Sequence, residues 1–137
     1  MKRRKPTAGG SVARIRRGGD KSSSIGIKRI YDEPAAEDGV RILIDRLWPR
    51  GMPKAAAAID AWPRELSPST ELRQWYGHDP NFFAEFRRRY RAELAAHADA
   101  LAALRAAIRG RAATLLTAAR ELDLSHAVVL REILERD

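Results

Sequence analysis

At 137 residues, without cysteine and with a formal net charge of +8, the chain has room for one ordinary domain and for no thiol chemistry. Disulfides, zinc–thiolate centres and cysteine nucleophiles are therefore excluded, and no apolar run approaches the ~18 residues needed to span a bilayer. Lys2, Arg3, Arg4 and Lys5 are followed by no apolar stretch, which argues against a secretory signal, so a cytoplasmic protein with no membrane association is expected.

Residues 1–24 hold eight Lys and Arg against Asp20 alone, which accounts for +7 of the +8 and leaves the remaining residues near neutrality at +1. With Val12 and Ile15 as the only sizeable apolar groups, this segment cannot bury enough surface to offset its ordering entropy, and a disordered basic tail is expected. It is either a weak electrostatic contact for nucleic acid or simply a solvated tail. Residues 25–137 then form a single domain of ordinary size, large enough to bury a core without staples.

Ile25 to Tyr31 alternates apolar and polar residues with one slip and reads as a strand. Asp32 to Gly39 suits a short helical turn or a loop. Val40 to Trp48 is the strongest strand, rich in β-branched residues, and the unbroken apolar run 42–44 suggests burial on both faces, as in a parallel sheet. Pro49-Arg50-Gly51-Met52-Pro53 ends it. Lys54 to Ala61 suits a short helix. Ser69 or Thr70 would cap a helix closed by Gly77, and Asp79 followed by Pro80 marks another start. Phe83, Phe86, Tyr90, Leu94, His97, Leu101, Leu104 and Ile108 then recur at helical spacing, with a break expected near 97–99 and Asp99 able to cap the second half. Gly110 closes this helical middle segment. Ala112 to Ala119 is a third strand, and Leu124 or Ser125 opens a last amphipathic helix carrying Ala127, Leu130 and Leu134 on one face. The pattern predicts a small α/β domain with a mainly parallel sheet of three to four strands flanked by helices in a Rossmann-like three-layer arrangement.

In open parallel sheets ligands bind where loops leave the carboxyl ends of the strands. Here each strand ends in polar or charged groups: Arg29, Tyr31 and Asp32; Asp45, Arg46, Trp48 and Arg50; Arg120 and Glu121, with His126 in the first turn of the following helix. Arg46 and Arg50 flank Trp48 in a proline–glycine turn. Guanidinium forks match phosphate or carboxylate and an indole stacks on rings, although a turn packed under the sheet, with its arginines paired to local acids, would read the same way. Asp45 either holds a neighbour such as Arg46, Arg120 or a loop N–H, or serves as an acid/base group. His126 is either a proton-transfer group or a structural histidine, and His78 either a ligand contact or a loop hydrogen bond. Asp79 is most simply a helix cap. No pair of ligand-type side chains has helical metal spacing, so no metal site is expected. Arg87, Arg88, Arg89 and Arg91 form a basic helical run that reads first as a solvated face. The chain has no G-x-x-x-x-G-K-[ST], dinucleotide or G-x-S-x-G motif, which removes support for ordinary NTPase, dehydrogenase and α/β-hydrolase chemistry.

Lys28 to Asp32, Asp38 to Gly51, Ser67 to Arg73, Trp75 to Pro80, Thr114 to Arg120 and His126 to Leu130 together resemble the YeaO-like branch of the "domain of unknown function 488" family, over roughly residues 26–135. The resemblance implies an α/β fold with a parallel sheet. In longer relatives a helix separates the first two strands, which supports their parallel pairing despite the short 32–39 link. The family positions carried over are Arg29, Tyr31, Asp45, Arg46, Trp48, Arg50, His78 and His126. Arg120 and Glu121 replace a usual lysine and aspartate, Ser125 a common asparagine, and Ala98 a frequent proline. Because arginine stays charged, amine chemistry near Arg120 loses support. The resemblance brings no reaction and no cofactor with it.

The expected function is binding of an anionic or nucleotide-like small molecule at the strand ends, with Arg29, Tyr31, Arg46, Trp48, Arg50, His78 and Arg120 as ligand contacts and His126 with Asp45 as acid/base candidates. The alternatives are a nucleic-acid accessory protein working through residues 1–24, and a protein-interaction domain whose surface includes Trp62 and Trp75.

Overall fold

The computed structural model describes residues 24–136, so residues 1–23 of the expected basic tail lie outside the described residues. Three strands form one sheet: β1 (Ile25–Arg29), β2 (Val40–Leu43) and β3 (Ala113–Thr117), all parallel, in the order β1-β3-β2. The helices are α1 (Lys54–Ala57), α2 (Thr70–Tyr76), α3 (Phe83–Ala95), α4 (Ala98–Ile108) and α5 (His126–Glu135). The chain is thus a small α/β fold with a helical middle segment. No helix among the described residues is long and apolar enough to cross a membrane.

The first two strands run parallel but do not pair, because β3 lies between them. Strand composition explains the order. The central position buries a strand on both sides, and β3, with the sequence ATLLT, is the one strand without a charge. The link from β1 to β2 crosses the sheet without the helix that usually fills this role, and it is held down by charge instead. Asp38 is 4% exposed, accepts from Lys28 Nζ at 3.0 Å, and pairs with Arg41 Nη1 at 2.5 Å. Burial acts to raise the Asp38 pKa, but the Ala35 N–H, Lys28 and Arg41 together hold it below the usual carboxylate range.

Side-chain alternation divides the sheet into two faces. Ile25, Val40, Ile42, Ala113 and Leu115 pack with Leu72, Tyr76, Phe86, Tyr90, Leu94, Leu101, Leu104, Ile108, Leu130 and Leu134 from α2–α5 in the main core. Ile30, Leu43 and Leu116 face a smaller cluster under the 48–62 segment, built from Ala57, Trp48, Met52, Ile59 and Trp62. Ile42, Leu43 and Ile44 are all fully buried, as the 42–44 run suggests.

Several elements are shorter than the pattern predicts. The strands stop at Arg29, Leu43 and Thr117, although Ile30 and Ile44 stay buried and their N–H groups still donate to the Thr117 and Leu116 carbonyls at 2.8 and 3.0 Å. α1 is a single turn, ended where Ala58 enters the left-handed region (φ 48°); Arg41 then donates to the carbonyls of Ala57 and Ala58 at 2.8 and 3.0 Å. Ser69 caps α2, Gly77 closes it, and Asp79 caps the turn at 80–82. The long stripe does break at His97. However, His97 occupies the cap position without a side-chain bond, and Asp99 sits in the first turn of α4, where its charge complements the helix dipole.

Candidate functional site

β1, β2 and β3 deliver their C-terminal loops to one rim, and a crevice of about 700 Å³ opens there. Its lining includes Tyr31, Asp45, Arg46, Trp48, Arg50, His78 and His126, seven of the nine residues expected at the site. This volume lies within the ~300–1,000 Å³ typical of small-molecule sites.

At the floor, Asp45 leaves β2 and meets β3 and α5. Its Oδ1 accepts from the Thr117 hydroxyl at 2.7 Å and its Oδ2 from the Ala118 N–H at 2.8 Å. His126 Nε2 stands 3.1 Å from Asp45 Oδ1 and 2.9 Å from the carbonyl of Ile44. Both neighbours are acceptors, so Nε2 carries a proton. Ser125, 1% exposed, fixes His126 by capping α5 through the Ala127 N–H. Burial acts to raise the Asp45 pKa and is the largest single influence. The hydrogen bond and charge of His126, the Ala118 N–H and the Thr117 hydroxyl together outweigh it and leave Asp45 below the ordinary carboxylate value. Asp45 is thus an ionised carboxylate surrounded by donors.

Arg46 turns away from acids. Its Nε and Nη2 donate to the carbonyls of Pro68 and Ser67 at 3.2 and 3.1 Å. The same loop is held from α3, where Glu93 accepts from the Ser69 N–H at 2.8 Å and the Ser69 hydroxyl at 2.6 Å. Trp48 packs into the smaller cluster edge-on to Trp62, with ring centroids 5.4 Å apart, and its Nε1–H donates to the Met52 carbonyl at 2.7 Å. Tyr31 donates to the carbonyl of Arg50 at 2.9 Å, tying the end of β1 to the Trp48-Pro49-Arg50-Gly51 turn.

Two expected ligand contacts do not line the crevice. The Arg29 guanidinium is engaged by the carbonyls of Ala119 and Ala118 at 3.1 and 3.2 Å and lies 5.1 Å from the Tyr31 ring centre, so it braces the loop after β3. Arg120 lies beyond that loop, exposed to solvent. No cluster of three or more His, Asp or Glu among the described residues is placed to hold a metal ion.

A family model described as "Inactive DUF488-N3 subclade" matches residues 24–137. The chain belongs to the DUF488-N3i family. This DUF488-N3i protein is similar to "Uncharacterized protein YeaO" of Escherichia coli (strain K12), with 42% identity over 80% of this chain and 95% of the relative. It is also similar to "Uncharacterized protein Rv3073c" of Mycobacterium tuberculosis (strain ATCC 25618 / H37Rv), with 40% identity over 83% of this chain and 96% of the relative. No solved structure matches it significantly.

The DUF488-N3i crevice also contains residues that strand-end reasoning does not reach. Thr70, Arg73, Gln74 and Tyr76 enter from α2 and close its outer side. The motif Ser67 to Arg73 was the available signal, but no local pattern indicates that α2 lies over the rim. Leu72 and Tyr76, one helical turn apart, bury the inner side of α2 against the core, while Arg73 remains exposed.

His78 follows Gly77 in the left-handed region (φ 59° and 53°), and its ring centre lies 5.7 Å from that of Tyr76. Histidine tolerates this backbone better than most residues but still with strain. His78→Gly is therefore expected to keep or raise stability, by up to about 1 kcal/mol, in thermal unfolding. A loss of more than about 1 kcal/mol would instead make the ring part of what holds the fold.

Proposed function

We propose that the crevice binds a small anionic molecule and holds it without turning it over. The single observation that carries this reading is the charge balance of the lining. Arg50 and Arg73 border the crevice with no acidic partner among the described residues, Arg46 is held only by neutral carbonyls, and Asp45, the one carboxylate among the described lining residues, is already surrounded by donors. A carboxylate or phosphate between the two guanidinium forks would complete that balance. Binding without turnover is supported by the inward engagement of the acid/base candidates, since His126 Nε2 and both Asp45 oxygens are occupied within the protein. The description of the family as an inactive subclade agrees with it. The reading places the protein in the cytoplasm, in line with its cysteine-free composition.

The test is a thermal-shift and calorimetric titration of the full chain with pyrophosphate and with benzoate. At least one should stabilise the wild type, by about 2.7 kcal/mol at a hundredfold excess over Kd. Arg50→Ala with Arg73→Ala should weaken that binding at least about tenfold and leave the unliganded Tm within about 2 °C, because both side chains are exposed. No stabilisation of the wild type by either anion, or unchanged affinity in the double variant, overturns the reading.

A second reading, protein interaction, is favoured by one observation. Trp75 and Phe82 stack at 5.1 Å on the surface, 36% and 42% exposed, with the Arg89 guanidinium 4.2 Å from the Trp75 ring centre. Trp62 does not join that surface, since it packs on Trp48 and donates to the Asp45 carbonyl at 2.7 Å. The basic run beside it is largely paired: Arg88 and Arg89 with Glu85, Arg87 with Glu132. A strictly monomeric species in size-exclusion chromatography with light scattering, together with empty pull-downs, would count against this reading. The nucleic-acid reading rests on residues 1–24, and deleting them should abolish any salt-dependent retention on RNA or DNA.

A further inference from the structure

The polar groups of the crevice are unevenly distributed. Toward the floor, they are already engaged within the protein. The Thr117 hydroxyl donates to Asp45, the Ser125 hydroxyl donates to the Leu122 carbonyl at 2.7 Å, and Arg46 holds the 67–68 carbonyls. The aromatic residues follow the same rule. Tyr76 donates its hydroxyl proton to the Leu124 carbonyl at 2.6 Å, Trp48 its N–H to Met52, and Tyr31 its hydroxyl proton to Arg50. What these three side chains offer a ligand is therefore ring surface. Among the described residues, the side-chain donors in the lining without an internal acceptor belong to Arg50, Arg73, Thr70, Gln74 and His78, together with Nη1 of Arg46, whose Nε and Nη2 are engaged.

From this division, and resting on the anion-binding reading above, we infer that the crevice takes a small molecule with a single anionic head and a flat apolar body, such as an aryl carboxylate or aryl phosphate, with the head at Arg50 and Arg73 and the body against Tyr31, Trp48 and Tyr76. A flat apolar body gains from leaving water and from contact with ring faces, and it does not compete with the hydrogen bonds the lining already makes. A polyphosphate would need donors along its whole length. Here it would meet the Arg50 and Arg73 guanidiniums and a single free nitrogen of Arg46, with rings or engaged groups over most of the remaining lining, so much of its charge would be desolvated without partners.

The experiment is isothermal titration of the full chain with naphthalene-2-carboxylate, 2-naphthamide, acetate, inorganic phosphate and pyrophosphate, repeated on the Arg50→Ala/Arg73→Ala variant. Naphthalene-2-carboxylate is expected to bind at least about tenfold more tightly than each of the other four. In the variant, its advantage over the amide should disappear. Pyrophosphate binding as tightly as the naphthoate, and losing affinity in the variant, overturns the ligand class while leaving the anionic site intact. Equal affinity for naphthoate and naphthamide in the wild type overturns the anionic site as well. Absence of binding by all five overturns both.

Discussion

Asp45→Ala is expected to destabilise the protein by about 3 kcal/mol, read as a lower midpoint in urea or heat. The substitution removes one carboxylate and leaves two donors, the Thr117 hydroxyl and the Ala118 N–H, without their acceptor in a partly buried space, while His126 Nε2–H loses Asp45 and keeps only the Ile44 carbonyl. The two donors belong to β3 and the loop after it, and the lost His126 contact to α5, so the loss falls on the junction of the sheet with the last helix. Asp45→Asn should recover only part of the stability, because its amide can accept from Thr117 but sets an N–H₂ against one of the remaining donors. His126→Ala should cost less, since Asp45 keeps two donors. The pH dependence has a fixed sign. Asp45 has a lower pKa folded than unfolded, so its contribution is complete above the unfolded carboxyl value of about 3.9 and is lost as pH falls through the folded value. Asp38 acts in the same direction. Wild-type stability should therefore decline with acidification below about pH 5, and Asp45→Ala should show a shallower decline. An equal slope in both proteins would remove Asp45 from the acid response.

Gly39→Ala is expected to cost about 4 kcal/mol, or to prevent folding altogether. Gly39 has φ 66° and ψ −135°, a backbone that side chains exclude, and an added Cβ would lie 2.1 Å from the Ala112 carbonyl oxygen. That oxygen accepts from the Val40 N–H at 2.9 Å at the start of β2, so it cannot retreat without opening the pairing of β2 with β3. Gly51→Ala supplies the contrast. Gly51 also has a positive φ, of 74°, but an added Cβ there meets nothing within 4 Å. Only the conformational cost of about 1 kcal/mol should appear. Urea midpoints of the two variants separate the steric effect from the conformational one, and equal losses would show that Ala112 yields.

Most strand and helix positions were legible because they depend on local chemistry. The apolar run at 42–44, the uncharged segment at 113–117, and the Ser69, Asp79 and Ser125 caps all hold in the folded protein. Their ends were less legible, since α1 stops at Ala58, where the carbonyls of Ala57 and Ala58 are held by the distant Arg41. Arg41, 5% exposed, gave no sign in sequence of being buried, because its three partners come from the 38 and 57–58 segments.

The sequence by itself determined that three strand ends would carry charged and aromatic groups, because alternation and turn residues act over a few neighbours. Only the tertiary structure decided which of these groups face a common space. It placed β3 between β1 and β2, drew Arg29 onto the Ala118 and Ala119 carbonyls, and brought Arg73 over the rim on α2. The physical reason is that a guanidinium goes where acceptors are concentrated, and that concentration exists only after distant segments have packed together.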